Sequence, residues 1–530
     1  MEDKTVHLAP SCPIGGIRWN TLWSKMRNSC TNDLGVLQSI STRLVTMQSS
    51  SDRSDHSGLF SGTLTQLLAA VSGTLFAISD GMSYGWTAPI IPYLISESSH
   101  IKTTKQEAEW LETLIMVGSF FSLPLTIYLV DKIGRRRSML AAAVISLLCW
   151  IIIALAGRML YIFIARFLFG TASNMAFVAA PMYVAEIADH KIRGFLSSII
   201  YLMMLVGFVI VYSVAPFSPF YTVPVIGVVI LLIDFSTFYY MPETPYYLVY
   251  KNQIKEAKQS LQFLRPGKDI DDELNDIIQA VARQKTEQGR LSDLLTVKSN
   301  RKATIIMLVL NGGQHMCAIS VVLMNLHLIL KEGDSIYMPP EYVAIVFSVV
   351  MLVSSQLASL QVDRFGRKIL LVVSTLVSGF CLLVLAIYFS LKDSGYDVRL
   401  VSWIPMAAVM IYAAGFKVGL GIVPIVITAE IFSARVKAAG MTIADAWYVV
   451  GSIISLQIYQ WLSNAYGLEA PFYLFAVCSF LITLFTIFCI PETKGKTLEE
   501  IQMMLKGESD ELAAIRSRQK YSTFVNEIGC

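Results

Sequence analysis

The chain has 530 residues, of which 54% are hydrophobic and only 15% charged, and its mean hydropathy is +0.57. A soluble chain of this length cannot hide so much apolar surface, so the composition excludes a soluble multidomain protein and points to the bilayer as solvent. The formal net charge of +3 is small, and its uneven spread along the chain indicates membrane orientation rather than a nucleic-acid partner.

In chain order, residues 1–64 come first, rich in Ser, Thr and Arg and without an apolar core of signal-peptide type; they read as a disordered cytoplasmic tail. Six apolar runs follow, near 65–94, 111–130, 138–156, 159–185, 195–215 and 221–241. A polar segment, 242–303, separates them from six more, near 304–330, 342–362, 369–391, 403–429, 440–462 and 472–490, and a second cytoplasmic tail covers 491–530. Each run is about long enough, at roughly 1.5 Å per residue, to cross about 30 Å of hydrocarbon as a helix. The expected fold is therefore an all-α membrane protein with twelve transmembrane helices, spans one to six in one bundle (65–241) and seven to twelve in another (304–490). Within the central segment, Leu261, Leu264, Leu274, Ile277, Ile278 and Val281 recur at helical spacing, which predicts short amphipathic helices lying under the bundles.

Twelve spans leave both tails on one side. That side, with its tails, its short loops and the central segment, holds 34 of the 42 Lys and Arg residues. The opposite loops hold six: Lys102, Lys105, Arg158, Lys331, Lys392 and Arg399. This asymmetry places the tails in the cytoplasm and the protein in a membrane, with the plasma membrane as the expected location. The eight cysteines lie in tails or spans and none in an external loop, so no disulfide framework is expected.

Three motifs occur twice. "DKIGRRR" at 131 returns as "DRFGRKI" at 363, "EIADHKIRG" at 186 as "EIFSARVKAAG" at 430, and "MPETPYYL" at 241 as "IPETKGKTL" at 490. Matched motifs in matched loops indicate two parallel six-helix repeats. They also bring acids and bases to the ends of neighbouring helices: Asp131 with Arg135 and Arg136, Glu186 with Arg193, Asp363 with Arg367, and Glu430 near Lys437. Because Asp and Glu contribute little to orientation, the repeated acids point to ion pairs that gate the cytoplasmic side.

These residues resemble the sugar porter family of the major facilitator superfamily. The match comprises Asp131, Gly134, Arg135 and Arg136; Arg166, Gly170, Pro181, Tyr183, Glu186, Arg193 and Gly194; Asp363, Gly366, Arg367 and Lys368; Pro424 and Glu430; and the terminal run Pro491 to Gly495. "YGWTAPIIPYL" at 84–94 resembles the end of span one in insect facilitated trehalose transporters. The resemblance implies two bundles rocking around a midplane cavity, and facilitated passage of a sugar, with trehalose or a hexose as the expected substrate.

The cavity positions depart from that pattern. Where the family has a glutamine in span five the chain has Tyr201; span seven keeps Gln314 but has Ile319 in place of asparagine; Met351 replaces the span-eight asparagine. Span ten has Lys417 for glutamate and Ile425 for tryptophan, and Trp447-Tyr448 stand at the Asn-Trp of span eleven. Tyr201, Gln314, Lys417, Trp447 and Tyr448 are the expected substrate contacts. Ionisable residues inside spans are functional candidates by default, which singles out Asp80, Asp234, His315, Lys417 and Asp445. Asp80 and Asp445 are expected either to carry a proton or to form a buried ion pair; in proton-coupled members of the family the span-one aspartate aligns with Ser83. Asp234 and His327 are expected near helix ends or in local hydrogen bonds.

No phosphate-binding G-x-x-x-x-G-K-[ST] loop, no H-E-x-x-H or paired-cysteine metal motif and no G-x-S-x-G elbow occurs. The chain is expected to be a secondary transporter and not an enzyme, with no cofactor or metal. Its expected partners are a small solute and the lipid bilayer. Two alternatives stay open: a carrier of a small charged solute met by Lys417 and Asp80, and a nutrient sensor that does not transport.

Overall fold

The computed structural model describes residues 53–189, 192–266, 269–286, 292–432, 436–496 and 498–507. Most of both tails lies outside these residues; the described parts include the start of the helix Arg53–Ser72 and the helix Leu498–Lys506. Among the described residues the structure is helical, with no strand.

Ten helical segments are long and apolar enough to cross a bilayer. They are span two (Lys105–Ile133), three (Arg135–Ala154), four (Met159–Ile187), five (Arg193–Val214), eight (Pro340–Phe365), nine (Arg367–Asp393), eleven (Lys437–Tyr466), twelve (Glu469–Cys489), and the two broken spans seven (Lys298–Met316 with Ile319–Glu332) and ten (Ile404–Val418 with Val423–Ile431). Span six, Thr222–Phe238, is an apolar helix of 17 residues, and span one is divided among Arg53–Ser72, Phe76–Gly85 and Thr87–Ile95. The breaks have local causes. Phe76 starts a new helix with an orphan N–H, and Asp234 Oδ1 of span six accepts it at 3.1 Å, which explains an acid buried in an apolar span. In span seven Ala318 takes a left-handed conformation, φ 68°, and ends the first half-helix. Spans one and seven hold corresponding places in the two repeats, and paired interruptions of this kind mark the binding level in secondary transporters.

Within the first bundle, spans two and four cross almost backbone to backbone. A Cβ on Gly118 would lie 2.0 Å from the carbonyl oxygen of Phe167, and one on Gly170 would lie 1.9 Å from that of Ile115. Between the bundles, span five packs on span eight, span two on span eleven, and the second half of span seven on the end of span one.

The segment after span six forms the helices Pro245–Tyr250, Ile254–Leu264, Asp271–Thr286 and Asp293–Thr296. Tyr247, Leu248, Val249, Ala257, Leu261, Ile270, Leu274, Ile277 and Val281 make a small apolar core of their own. Arg265 fastens it to span four, donating to the Ile187 carbonyl and to Glu273, 3.2 Å each.

Candidate substrate site and gates

At the level of the breaks, Ser320 joins three spans. Its hydroxyl meets Tyr84 Oη of span one at 2.8 Å, His315 Nδ1 of span seven at 2.8 Å and Ser452 Oγ of span eleven at 2.9 Å. The His315 ring packs edge-on against Tyr448, centroids 4.2 Å apart. The Trp447 indole lies against Gly312, where a Cβ would come within 2.7 Å of Nε1. Tyr201 of span five is 6.4 Å from the Phe177 ring, centroid to centroid, and stands within electrostatic reach of Asp445 across the bundle boundary. Tyr201, Trp447 and Tyr448 keep 39%, 40% and 36% of their surface exposed, so aromatic faces and a phenol stay available beside a satisfied polar cluster.

Four of the expected residues therefore gather here: Tyr201, Trp447, Tyr448 and Asp445. Gln314 is near but buried, its amide 3.5 Å from Asn311 Oδ1. Asp80 belongs to the first bundle's interior and accepts a hydrogen bond from Ser173 Oγ at 2.8 Å. Lys417 folds over the span-ten break, its Cδ 3.0 Å from where a Gly421 Cβ would be. Among the described residues neither Asp80, Lys417 nor Asp445 is in an ion pair, so the buried pair that would lock the helices is not formed here. Among the described residues the His327 ring nitrogens have no hydrogen-bond partner, and the ring packs edge-on against Tyr212, centroids 5.3 Å apart.

One face is closed by hydrogen bonds between the bundles. Asn325 Nδ2 donates to buried Glu112 at 2.9 Å, Gln457 Nε2 to Thr113 Oγ1 at 2.8 Å, Gln460 Nε2 to the Glu109 carbonyl at 3.0 Å, and Asn464 bridges Glu109 (3.0 Å) and Lys105 (2.7 Å). The second carboxylate oxygen of Glu112 has no partner among the described residues. Arg166, fully buried, is turned to the carbonyls of Leu111 and Ser83. All of these bonds lie on the side away from the arginine-rich turns.

On the arginine-rich face, each bundle carries the same cluster. In the first, Arg135 Nη2 pairs with Glu186 Oε1 at 3.1 Å, Thr244 Oγ1 donates to Glu186 Oε2, and Glu243 accepts the backbone N–H groups of Arg135 and Arg136, 3.1 Å each. Arg136 donates to the Tyr239 carbonyl. In the second, Arg367 Nη2 pairs with Glu430 Oε1 at 3.0 Å, Thr493 Oγ1 donates to Glu430 Oε2 at 2.6 Å, and Glu492 accepts the N–H groups of Arg367 and Lys368, 3.0 Å each. The repeated glycine is required twice over: Gly134 (φ 100°) and Gly366 (φ 89°) are left-handed, and a Cβ on either would meet the carboxylate of Glu243 or Glu492, at 2.4 and 2.7 Å. Asp131 is marginal, 4.0 Å from Arg135 and 65% exposed. Arg193 does not reach Glu186, which Arg135 occupies; its Nε has no partner among the described residues. The side chains of Asp363 and Lys437 lie outside the described residues.

The two capping glutamates are shifted in opposite directions. Burial raises Glu243 above the ordinary carboxyl value, and its backbone donors only moderate that. Burial also raises Glu492, but its backbone donors, with Lys494 and Thr493 joining Arg367 and Lys368, outweigh it and leave the group lower than the ordinary 4.5. A depressed folded-state pKa contributes stability above the unfolded value, and that contribution is lost as pH falls through the folded one. Glu492→Gln is therefore expected to lower the thermal unfolding temperature of detergent-purified protein at neutral pH, with the gap to wild type closing as the pH drops below 4.5. A gap that does not change with pH would contradict this.

Two matched six-helix bundles, closed on one face, gated alike on the other and lined at mid-depth by polar and aromatic groups, define a membrane transporter of the major facilitator type, not an enzyme. The chain belongs to the family described as "Sugar (and other) transporter", whose model matches residues 65–505. It is similar to proteins named facilitated trehalose transporter Tret1 from Bombyx mori (29% identical over 490 residues, 90% of this chain and 95% of that protein) and Polypedilum vanderplanki (28% over 466, 86% and 91%). It spans about half of the longer one from Aedes aegypti (27% over 455, 85% and 56%). Among solved structures, the proton:xylose symporter XylE bound to 6-bromo-6-deoxy-D-glucose superposes with a TM-score of 0.66 at 21% identity, covering 84% of this chain and 100% of that one. At that identity the likeness bears on the fold alone.

Proposed function

We propose that the protein moves a sugar, trehalose or a hexose, across the plasma membrane by alternating access, as a uniporter. The observation that carries this reading is the exposed trio Tyr201, Trp447 and Tyr448 around the Ser320 cluster. Aromatic faces pack against sugar rings, and hydroxyls removed from water need replacement hydrogen bonds of the kind the exposed phenols of Tyr201 and Tyr448 offer. The trehalose transporters it resembles support the substrate class. The lysine and arginine asymmetry supports a cytoplasmic arginine-rich face, and the bonded far face then makes this the inward-facing state.

The test is uptake of labelled trehalose, glucose and fructose into liposomes holding the purified protein, with and without an inward proton gradient. Uptake of one sugar without the gradient is expected. If no sugar moves while a control carrier works, the reading fails, and the departures at Ile319, Met351, Lys417 and Ile425 direct the search to charged solutes. Tyr448→Ala is expected to weaken apparent sugar affinity about tenfold, equivalent to about 1.4 kcal/mol, without loss of folded protein. An unchanged half-saturation concentration would remove Tyr448 from the site.

A further inference from the structure

We propose that a cleft at the arginine-rich end of span two binds the phosphate headgroup of an anionic membrane phospholipid. The cleft has a volume of about 740 Å³ and is lined by Pro124, Ile127, Tyr128, Asp131, Lys132, Tyr250 and Lys251. Two ammonium groups converge on it. Lys132 Nζ lies 5.0 Å from the centroid of the Tyr128 ring, at its hydroxyl edge, and donates to Tyr128 Oη at 2.7 Å. Lys251 Nζ lies over Tyr247 and Tyr250, 5.6 and 5.9 Å from their centroids. Among the described residues neither lysine is paired with a carboxylate, although acids are plentiful on this face. The one acid in the cleft, Asp131, is 65% exposed to solvent and makes only a marginal contact with Arg135, at 4.0 Å.

The walls are held in place. Tyr247 Oη donates to the Lys132 carbonyl at 2.8 Å, which fixes the helix Pro245–Tyr250 against the end of span two. The cleft also opens onto an apolar ridge. Phe121, Leu125 and Tyr128 recur at helical spacing on the outer face of span two and are 69%, 52% and 57% exposed, a surface that only acyl chains cover in a bilayer. Lysines beside tyrosines at a bilayer rim, continuous with an acyl-facing ridge, match an anionic phospholipid better than a soluble phosphate, which would use the ammonium groups and leave the ridge unused. The proposal depends on the membrane placement of span two and is independent of the substrate.

The experiment is native mass spectrometry of the full chain in detergent, titrated with phosphatidylserine, with phosphatidylcholine, and with phosphatidylserine in the presence of inorganic phosphate. The wild type is expected to retain phosphatidylserine several-fold more than phosphatidylcholine. The variant K132A/K251A should lose that preference and K132R/K251R should keep it, which separates lost charge from lost fold. Equal retention of the two lipids by the wild type, or an undiminished preference in K132A/K251A, would overturn the proposal. So would displacement of the lipid by an equal concentration of inorganic phosphate, which would mark the cleft as a site for the free anion. Because none of these readouts involves sugar, failure here and failure of the transport assay are distinguishable.

Discussion

Gly170→Val is expected to leave almost no folded protein. At this crossing a Cβ would sit 1.9 Å from the Ile115 carbonyl oxygen and 2.8 Å from the Ser119 nitrogen, and both are backbone atoms of a neighbouring span. A flexible side chain would rotate aside; a helix backbone has to translate, and span two is held against span four along its length. Overpacking a core typically costs about 1–3 kcal/mol when side chains absorb it, and more when they cannot. Membrane helices associate through such close contacts because lipid supplies no hydrophobic drive between them. The measurement is the monodisperse peak of a fluorescently tagged chain on size-exclusion chromatography, expected to fall at least tenfold, a factor that about 1.4 kcal/mol already produces. Gly157→Val is the control, since a Cβ there meets nothing within 4 Å. A normal peak for Gly170→Val would refute this packing.

Glu186→Ala is expected to cut transport by more than tenfold and to destabilise the first bundle. The carboxylate is shared by the Arg135 guanidinium at 3.1 Å and the Thr244 hydroxyl, and the side chains of Arg135 and Glu186 are only 12% and 16% exposed. Removing one partner of such a pair leaves an uncompensated, largely buried charge, a loss of about 3–5 kcal/mol for fully buried cases and less here, where water still reaches the pair. Glu430→Ala removes the copy, pairing at 3.0 Å with Arg367 and at 2.6 Å with Thr493. Each cluster lies inside its own bundle, so the stability losses should add in the double variant. Thermal unfolding measures that sum, and liposome uptake measures the transport loss. Full uptake by Glu186→Ala would show that the cluster has no part in transport.

Much of this was legible before any coordinates. Long apolar runs mark spans because a bilayer requires about twenty residues, and matched motifs reveal the duplication. The terminal Pro-Glu-Thr runs are visible as repeats, but their division of labour is not. The glutamate caps the first N–H groups of span three or nine, more than a hundred residues earlier, while the threonine holds the acid of another span, and only the fold brings those segments together. Arg193 looks like the partner of Glu186 because it is seven residues away, yet Arg135, fifty-one residues away, takes that place. Glu112 was readable and easily passed over: an apolar run begun at 111 leaves it at the rim, whereas the helix starts at Lys105 and places it about two turns inside. Ser320 and Ser452 carry no sequence signal, and the stretch opening at Tyr84 shows a resemblance but not a contact, because a hydroxyl in an apolar helix becomes a hub only when three spans converge.

The two faces will also feel the surrounding electrolyte differently. The bonds that hold the far face shut run through the amides of Asn325, Gln457, Gln460 and Asn464, with no charge facing an opposite charge. On the other face each bundle relies on an arginine and a carboxylate that water can reach. Raising ionic strength screens the second arrangement only in part, because its side chains are just 11–28% exposed, and acts on the first less still. Salt therefore acts as a weak, one-sided lever, slightly loosening the helix ends around the arginine turns while the amide seal opposite keeps its strength.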